Sequence, residues 1–250
     1  MSLTADRDSI NRGRKQITDL PNELFTAHQF KSTKGTLLPY RLLQPAPEKT
    51  EKTYPLVVVL HGSHAVGTDN QMQMGILAKL WALPTNRLNY PAYVVAPQFP
   101  SRSSNYVKDE SRNVLISAPQ PSLNTIFEWI DSLVKFHPIN PKKIYIIGHS
   151  MGSSGVTNVI SLKPKLFAAG VAASGIPNFN NLEALAKTPL WIIHGNKDPE
   201  NPIYTDRLLY QELKKRKPKD LKFTEVDGME HEIWPGLFLT DALPKWLFSF

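Results

Sequence analysis

The chain has no cysteine, which excludes disulfides, a thiol nucleophile, iron–sulfur clusters and cysteine-type zinc sites. It has no apolar run near the ~18–20 residues needed to span a bilayer. The first 24 residues, MSLTADRDSINRGRKQITDLPNEL, contain no apolar stretch of the kind a secretory signal needs. A cytoplasmic setting is therefore expected, and a periplasmic or secreted one if a leader precedes Met1. Internal repeats and low-complexity linkers are also missing. Proline, by contrast, is plentiful at 21 of 250 residues, and suggests many firm loops. Residues 1–23 read as a loosely ordered N-terminal arm and 24–250 as a single domain, a length that buries a sizeable core without staples.

Basic residues outnumber acidic ones, 29 to 22, for a net charge of +7. Six of them crowd into Lys214–Lys222. Such a run can serve an anionic partner. It also suits the solvated C-terminal end of a surface helix, and the apolar stripe Tyr204, Leu208, Leu209 and Leu213 just before it favours the helix end. No interleaved aromatics accompany the charge, so no nucleic-acid partner is expected.

Leu24–Lys31 and Leu37–Gln44 read as an antiparallel hairpin turning at Thr33–Gly35, followed by a polar connection over 45–53. Pro55–Leu60 is a short apolar run rich in β-branched residues, the pattern of a strand buried on both faces. The pattern recurs at Tyr93–Ala96, Ile144–Ile147, Ala168–Ala173 and Leu190–Ile193, and more weakly at Phe223–Val226. Helical periodicity lies between them, at Leu123–Val134, Val156–Ile160 and Leu243–Leu247. Buried strands alternating with amphipathic helices predict an α/β fold with a doubly wound, mostly parallel sheet. Gln98–Gln120 reads as a long loop, placed either as a roof over the site or as plain surface.

In an open α/β sheet the site lies at the carboxyl ends of the strands. Gly148-His149-Ser150-Met151-Gly152 follows the Ile144–Ile147 strand and precedes a helix, the setting a G-x-S-x-G nucleophile elbow requires. A serine hydroxyl needs a base, and the base an orienting carboxylate. Asp198 follows the Leu190–Ile193 strand and His231 follows the Phe223–Val226 strand, in the order Ser, Asp, His. Glu200, Asp206 and Asp227 compete as the acid, with surface solvation or a turn as their plainer reading. His28 and His137 look structural, and His149 and His194 look like flanking groups that pack or hydrogen-bond. The backbone N–H of Met151, and that of Ser63 in the loop after Pro55–Leu60, are the candidate oxyanion donors, with His64 N–H as second choice. His61-x-x-His64 has a metal-like spacing but no third ligand, so neither metal nor cofactor is expected.

These residues make the chain resemble the α/β-hydrolase superfamily. More narrowly, it is similar to bacterial carboxylesterases labelled predicted peptidases, related to feruloyl esterases and polyhydroxybutyrate depolymerases. The resemblance runs through LPYRLLQP, LHGS…GTDN, VAPQFP, IIGHSMGSSG, WIIHGNKDPENP and GMEHEIW. It implies the α/β-hydrolase fold, and Ser150, Asp198 and His231 as a triad acting on a small-molecule or polymer-linked ester through an acyl-enzyme. His64, Ala65 and Val66 replace the usual Gly-Glu-Arg, so an ionic brace of the loop is expected to be lost. Phe99 and Glu230 depart from the usual Cys and Gly at the pocket rim. Only Gly175–Thr188 separate Ser174 from the next strand, too few for a large cap, which predicts an open cleft. A peptidase, amidase or thioesterase of the same fold, or a non-catalytic binding protein built on it, remain as alternatives.

Overall fold

Every apolar run read as a buried strand lies in one eight-stranded sheet of the computed structural model, which describes residues 6–46 and 51–250. In chain order the elements are α1 (Arg7–Thr18), β1 (Thr26–Lys31), β2 (Leu37–Leu43), β3 (Tyr54–Leu60), α2 (Ile76–Lys79), α3 (Pro84–Asn89), β4 (Tyr93–Pro97), β5 (Ser104–Asp109), β6 (Val114–Pro119), α4 (Pro121–Phe136), β7 (Ile139–His149), α5 (Met151–Leu162), β8 (Ala169–Ala173), α6 (Leu182–Lys187), β9 (Leu190–Gly195), α7 (Tyr204–Lys214), β10 (Leu221–Val226) and α8 (Ala242–Leu247). The strand order is β1-β2-β4-β3-β7-β8-β9-β10. From β4 to β10 all neighbours are parallel, and β1 and β2 add the expected antiparallel hairpin at one edge.

The continuous apolar runs follow from helices on both faces. Leu56, Val58, Leu60, Ile144, Ile146, Leu190 and Ile192 point into one core with Leu123, Ile126, Val156 and Leu209 of α4, α5 and α7. Their alternates Val57, Val59, Tyr145, Ile147, Trp191 and Ile193 meet Ile17, Ile76, Leu77, Leu243 and Leu247 of α1, α2 and α8. With a side-chain period of two, both sets must be apolar. Among the described residues no helix is long and apolar enough to cross a membrane.

Two segments differ from expectation. In the N-terminal stretch, Arg7–Thr18 forms a helix rather than a loose arm. Asp6 caps it by accepting from Ser9 N–H at 2.8 Å. Ile17 is buried, and Lys79 Nζ donates to the carbonyls of Thr18 and Leu20 at 2.8 and 2.7 Å, fastening the helix end to α2. Within Gln98–Gln120 the chain forms the hairpin β5–β6 rather than an irregular loop. Its base docks on α5, where the buried Asn158 amide donates to Ser104 and Ser117 Oγ at 2.9 and 2.8 Å. Asn158 lies eight residues beyond Ser150, about 12 Å along the helix at 1.5 Å per residue, so the hairpin base stands well back from the elbow. The polar connection read over 45–53 lies partly outside the described residues, at 47–50.

The basic run covers the end of α7, the turn after it and the start of β10. Lys215 and Arg216 pair with Glu212 at 2.6 and 3.1 Å, and Lys222 Nζ sits 3.5 Å above the Trp191 ring.

Candidate active site

The parallel strands β7, β9 and β10 end on the same side of the sheet, and each is followed by one of the three residues singled out above. Ser150 sits between β7 and α5 at φ 57°, ψ −124°, a conformation that a non-glycine residue rarely adopts. The turn is possible because the residues two positions to either side, Gly148 and Gly152, have no side chains. A Cβ at Gly152 would collide with the Leu60 carbonyl, and one at Gly148 with the Gly152 backbone. The strand-to-helix transition is thereby pressed against the end of β3.

The three side chains meet. Ser150 Oγ lies 2.9 Å from His231 Nε2, and His231 Nδ1 lies 2.7 Å from Asp198 Oδ2. The carboxylate only accepts, so Nδ1 carries the hydrogen and neutral His231 presents a lone pair at Nε2 to the serine. Asp198 Oδ1 accepts from the backbone N–H groups of Glu200 and Asn201, both at 2.9 Å. Burial pushes the Asp198 carboxyl up, but the N–H bonds and His231 outweigh it and hold the group below its ordinary range.

Of the competing acids, Glu200 Oε2 stands 3.6 Å from His231 Nε2 with an exposed side chain. Asp227 accepts from Asn196 Nδ2 at 2.9 Å, away from His231. Asp206 is not on the surface, contrary to its plainer reading. It is buried in the first turn of α7 and lies 2.7 Å from His194 Nδ1. His149 packs beside the base, ring centroids 4.9 Å apart, and its pKa is driven down to about 3 by burial and by the neighbouring His231. It therefore stays neutral and adds no charge next to His231.

The β3–α2 loop closes the other side of the site. A Cβ at Gly62 would sit 3.6 Å from Ser150 Cβ, which places the loop against the elbow. Ser63–Ala65 form one turn of 3₁₀ helix whose bonds use the N–H groups of Ala65 and Val66. Met151 N–H begins α5. Among the described residues no hydrogen bond engages the Ser63 or Met151 N–H, as expected of first-turn donors. Gln98 braces the loop. Gln98 Nε2 donates to Ala65 O at 3.2 Å and to Asp69 Oδ1 at 3.0 Å, while its Oε1 accepts from Asn70 N–H at 2.5 Å. His61 anchors the base of the loop, its Nδ1 donating to Gly62 O at 2.7 Å and its Nε2 accepting from Phe99 N–H at 3.0 Å. Beside the loop is a narrow cavity of about 50 Å³, lined in part by Gly62, His64, Met72, Gln73 and His149. Among the described residues no three His, Asp or Glu gather as metal ligands.

Known proteins match this chain in sequence and in fold. A family described as Phospholipase/Carboxylesterase matches residues 47–241. A thermostable esterase of known structure is 31% identical, with a TM-score of 0.81 over 91% of this chain and 63% of its own. Est1E from Butyrivibrio proteoclasticus shares the fold at 14% identity, with a TM-score of 0.62 over 89% of this chain and 98% of its own. An uncharacterized peptidase of Bacillus subtilis strain 168 is 24% identical over 257 aligned residues, covering 88% of this chain. The chain spans only 36% of that peptidase.

Proposed function

The chain belongs to the phospholipase/carboxylesterase family of the α/β-hydrolase fold, and from that premise we propose that it is a serine hydrolase that cleaves carboxylic esters. The observation that carries this reading is the continuous hydrogen-bonded path from Ser150 through His231 to Asp198 at the ends of three parallel strands. Similarity to an esterase, 31% identical over 91% of this chain, favours esters over peptides.

Ser150 Oγ attacks the ester carbonyl carbon while His231 Nε2 takes its proton. Asp198 holds the imidazole tautomer and faces the imidazolium that forms. The oxygen of the tetrahedral intermediate lies between the N–H groups of Ser63 and Met151. Donors so placed are commonly worth about 2.7–4 kcal/mol each. Collapse breaks the C–O bond to the alcohol, which leaves with the proton from His231. Water then gives up a proton to His231, attacks the acyl-serine and releases the acid by the same steps.

The test is hydrolysis of p-nitrophenyl acetate, butyrate and octanoate and of methyl ferulate, with aminoacyl anilides alongside. Ser150→Ala should lower turnover about 10⁴-fold or more. Turnover unaffected by that substitution would overturn the nucleophile. Cleavage of anilides in preference to esters would move the reading to a peptidase.

A further inference from the structure

Two buried groups next to Asp198 take no part in the proton path just described. His194, in β9, is fully enclosed, and Asp206, in α7, is 4% exposed. His194 Nδ1 lies 2.7 Å from Asp206 Oδ2. Its Nε2 lies 2.9 Å from the Asn201 carbonyl and 3.2 Å from Asp198 Oδ2, the oxygen that His231 uses. A carbonyl only accepts, so Nε2 carries a hydrogen. A single proton then lies between Nδ1 and Asp206, and the pair is neutral overall whichever atom holds it. Asn201 ties the two ends together. Its carbonyl is held by His194, its N–H grips Asp198 Oδ1, and its side chain donates to Ser174 O at 2.8 Å.

We propose that His194 and Asp206 are positioning residues, a second buried His–Asp pair that fixes the Asp198 carboxylate in register with His231. The proposal rests on the serine-hydrolase reading. The ring of His194 cannot rotate within its enclosure, so it fixes the 198–201 turn from behind while His231 draws on it from the front. Asp206 has a separate task. Without it, Nδ1 of His194 would be left unpaired in the interior, and neither the tautomer nor the orientation of the ring facing Asp198 would be held. Burial raises the Asp206 carboxyl and, against burial, the bond to Asp206 raises His194, which is the behaviour of a pair that keeps its shared proton.

Besides Asp198, the groups facing His231 are Ser150, Glu200 and His149; Ser150 and His149 lie outside the 198–201 turn, and Glu200 belongs to it. A shift in the His231 titration would therefore be transmitted through the 198–201 turn that holds Asp198. The experiment uses full-length protein labelled with ¹⁵N-histidine, titrated from about pH 5 to 9 as the native chain and as His194→Ala, Asp206→Ala and Asp206→Asn, with kcat and KM on p-nitrophenyl acetate. Native His194 should keep its Nε2 hydrogen throughout. Both alanine variants should lower the His231 midpoint and reduce kcat about 10–100-fold with little change in KM, the scale of a misplaced catalytic group. Asp206→Asn can still partner Nδ1 and should restore both. Folded alanine variants with the native His231 midpoint and kcat would overturn the proposal, even if their melting temperature falls. If the alanine variants do not fold, the native spectrum decides, because a His194 that titrates as a free imidazole overturns it. Native protein that turns over no ester, yet shows these histidine shifts, would instead count against the hydrolase reading.

Discussion

The loop carrying the proposed Ser63 donor depends on a histidine that must remain neutral. Phe99 N–H can only donate and Gly62 O can only accept, so His61 has its hydrogen on Nδ1 and a lone pair on Nε2. Protonating Nε2 would set two N–H groups against each other inside the protein. Burial accordingly lowers the His61 pKa from 6.5 to about 4. A folded-state pKa below the unfolded one means that the unfolded chain binds the proton first. The stabilisation is complete above pH 6.5 and is lost as pH falls towards 4. Between pH 7.5 and pH 5 the loss from this one residue is about 2 kcal/mol, or roughly 4–8 °C in melting temperature for a chain of this size. His61→Gln keeps an acceptor for Phe99 N–H but cannot titrate. Urea unfolding at the two pH values should show a drop smaller by about 2 kcal/mol in the variant than in the native protein. His149 acts in the same direction and His194 in the opposite one, but both are common to the two proteins and cancel in the comparison. Equal drops in both proteins would refute the assignment of His61 as a neutral anchor.

Other changes test the frame and the cleft. Gly152→Ala should prevent accumulation of folded protein, because its Cβ meets the backbone of Leu60 rather than a movable side chain; soluble, active variant protein would contradict the close packing of the elbow on β3. Asn158→Ala removes bonds to Ser104, Ser117 and Asn178 and should cost about 3 kcal/mol in urea unfolding, with a loss below about 1 kcal/mol showing that the hairpin is held by other contacts. The cavity of about 50 Å³ beside Gly62 should make p-nitrophenyl acetate and butyrate better substrates than octanoate, and Met72→Ala should narrow that gap; a preference for octanoate would place the acyl chain elsewhere.

The central strands were legible because burial on both faces leaves no room for polar alternation, as in Leu56–Leu60 and Leu190–Ile193. The hairpin was not, because Ser104–Asp109 is mostly solvated and its buried anchor Asn158 lies in a distant helix. Helix α1 hid behind its charge, since Ile17 is its one buried residue and its attachment depends on Lys79. Ser150, Asp198 and His231 could be picked out because each follows a strand end, where sequence position and spatial position coincide. Asp206 follows no strand, and nothing near it in sequence indicates that the first turn of α7 faces His194. Gln98 was equally silent, because its importance comes from the loop it spans rather than from its neighbours.

His231 hangs from β10, the last strand of the sheet, which pairs with β9 alone and is half-buried along most of its length, whereas β9 is buried throughout. Edge elements with few covered bonds open at lower free energy than the core does. The proposed base is thus carried by an edge of the sheet that opens more readily than its middle, where Ser150 is rooted. Warming or mild denaturant will separate the two before the fold is lost, so activity reports on a local, reversible opening rather than on global unfolding. A loss of turnover that precedes the global transition, together with a change at Trp191, which donates to Thr224 of β10, is the failure mode to expect of this design.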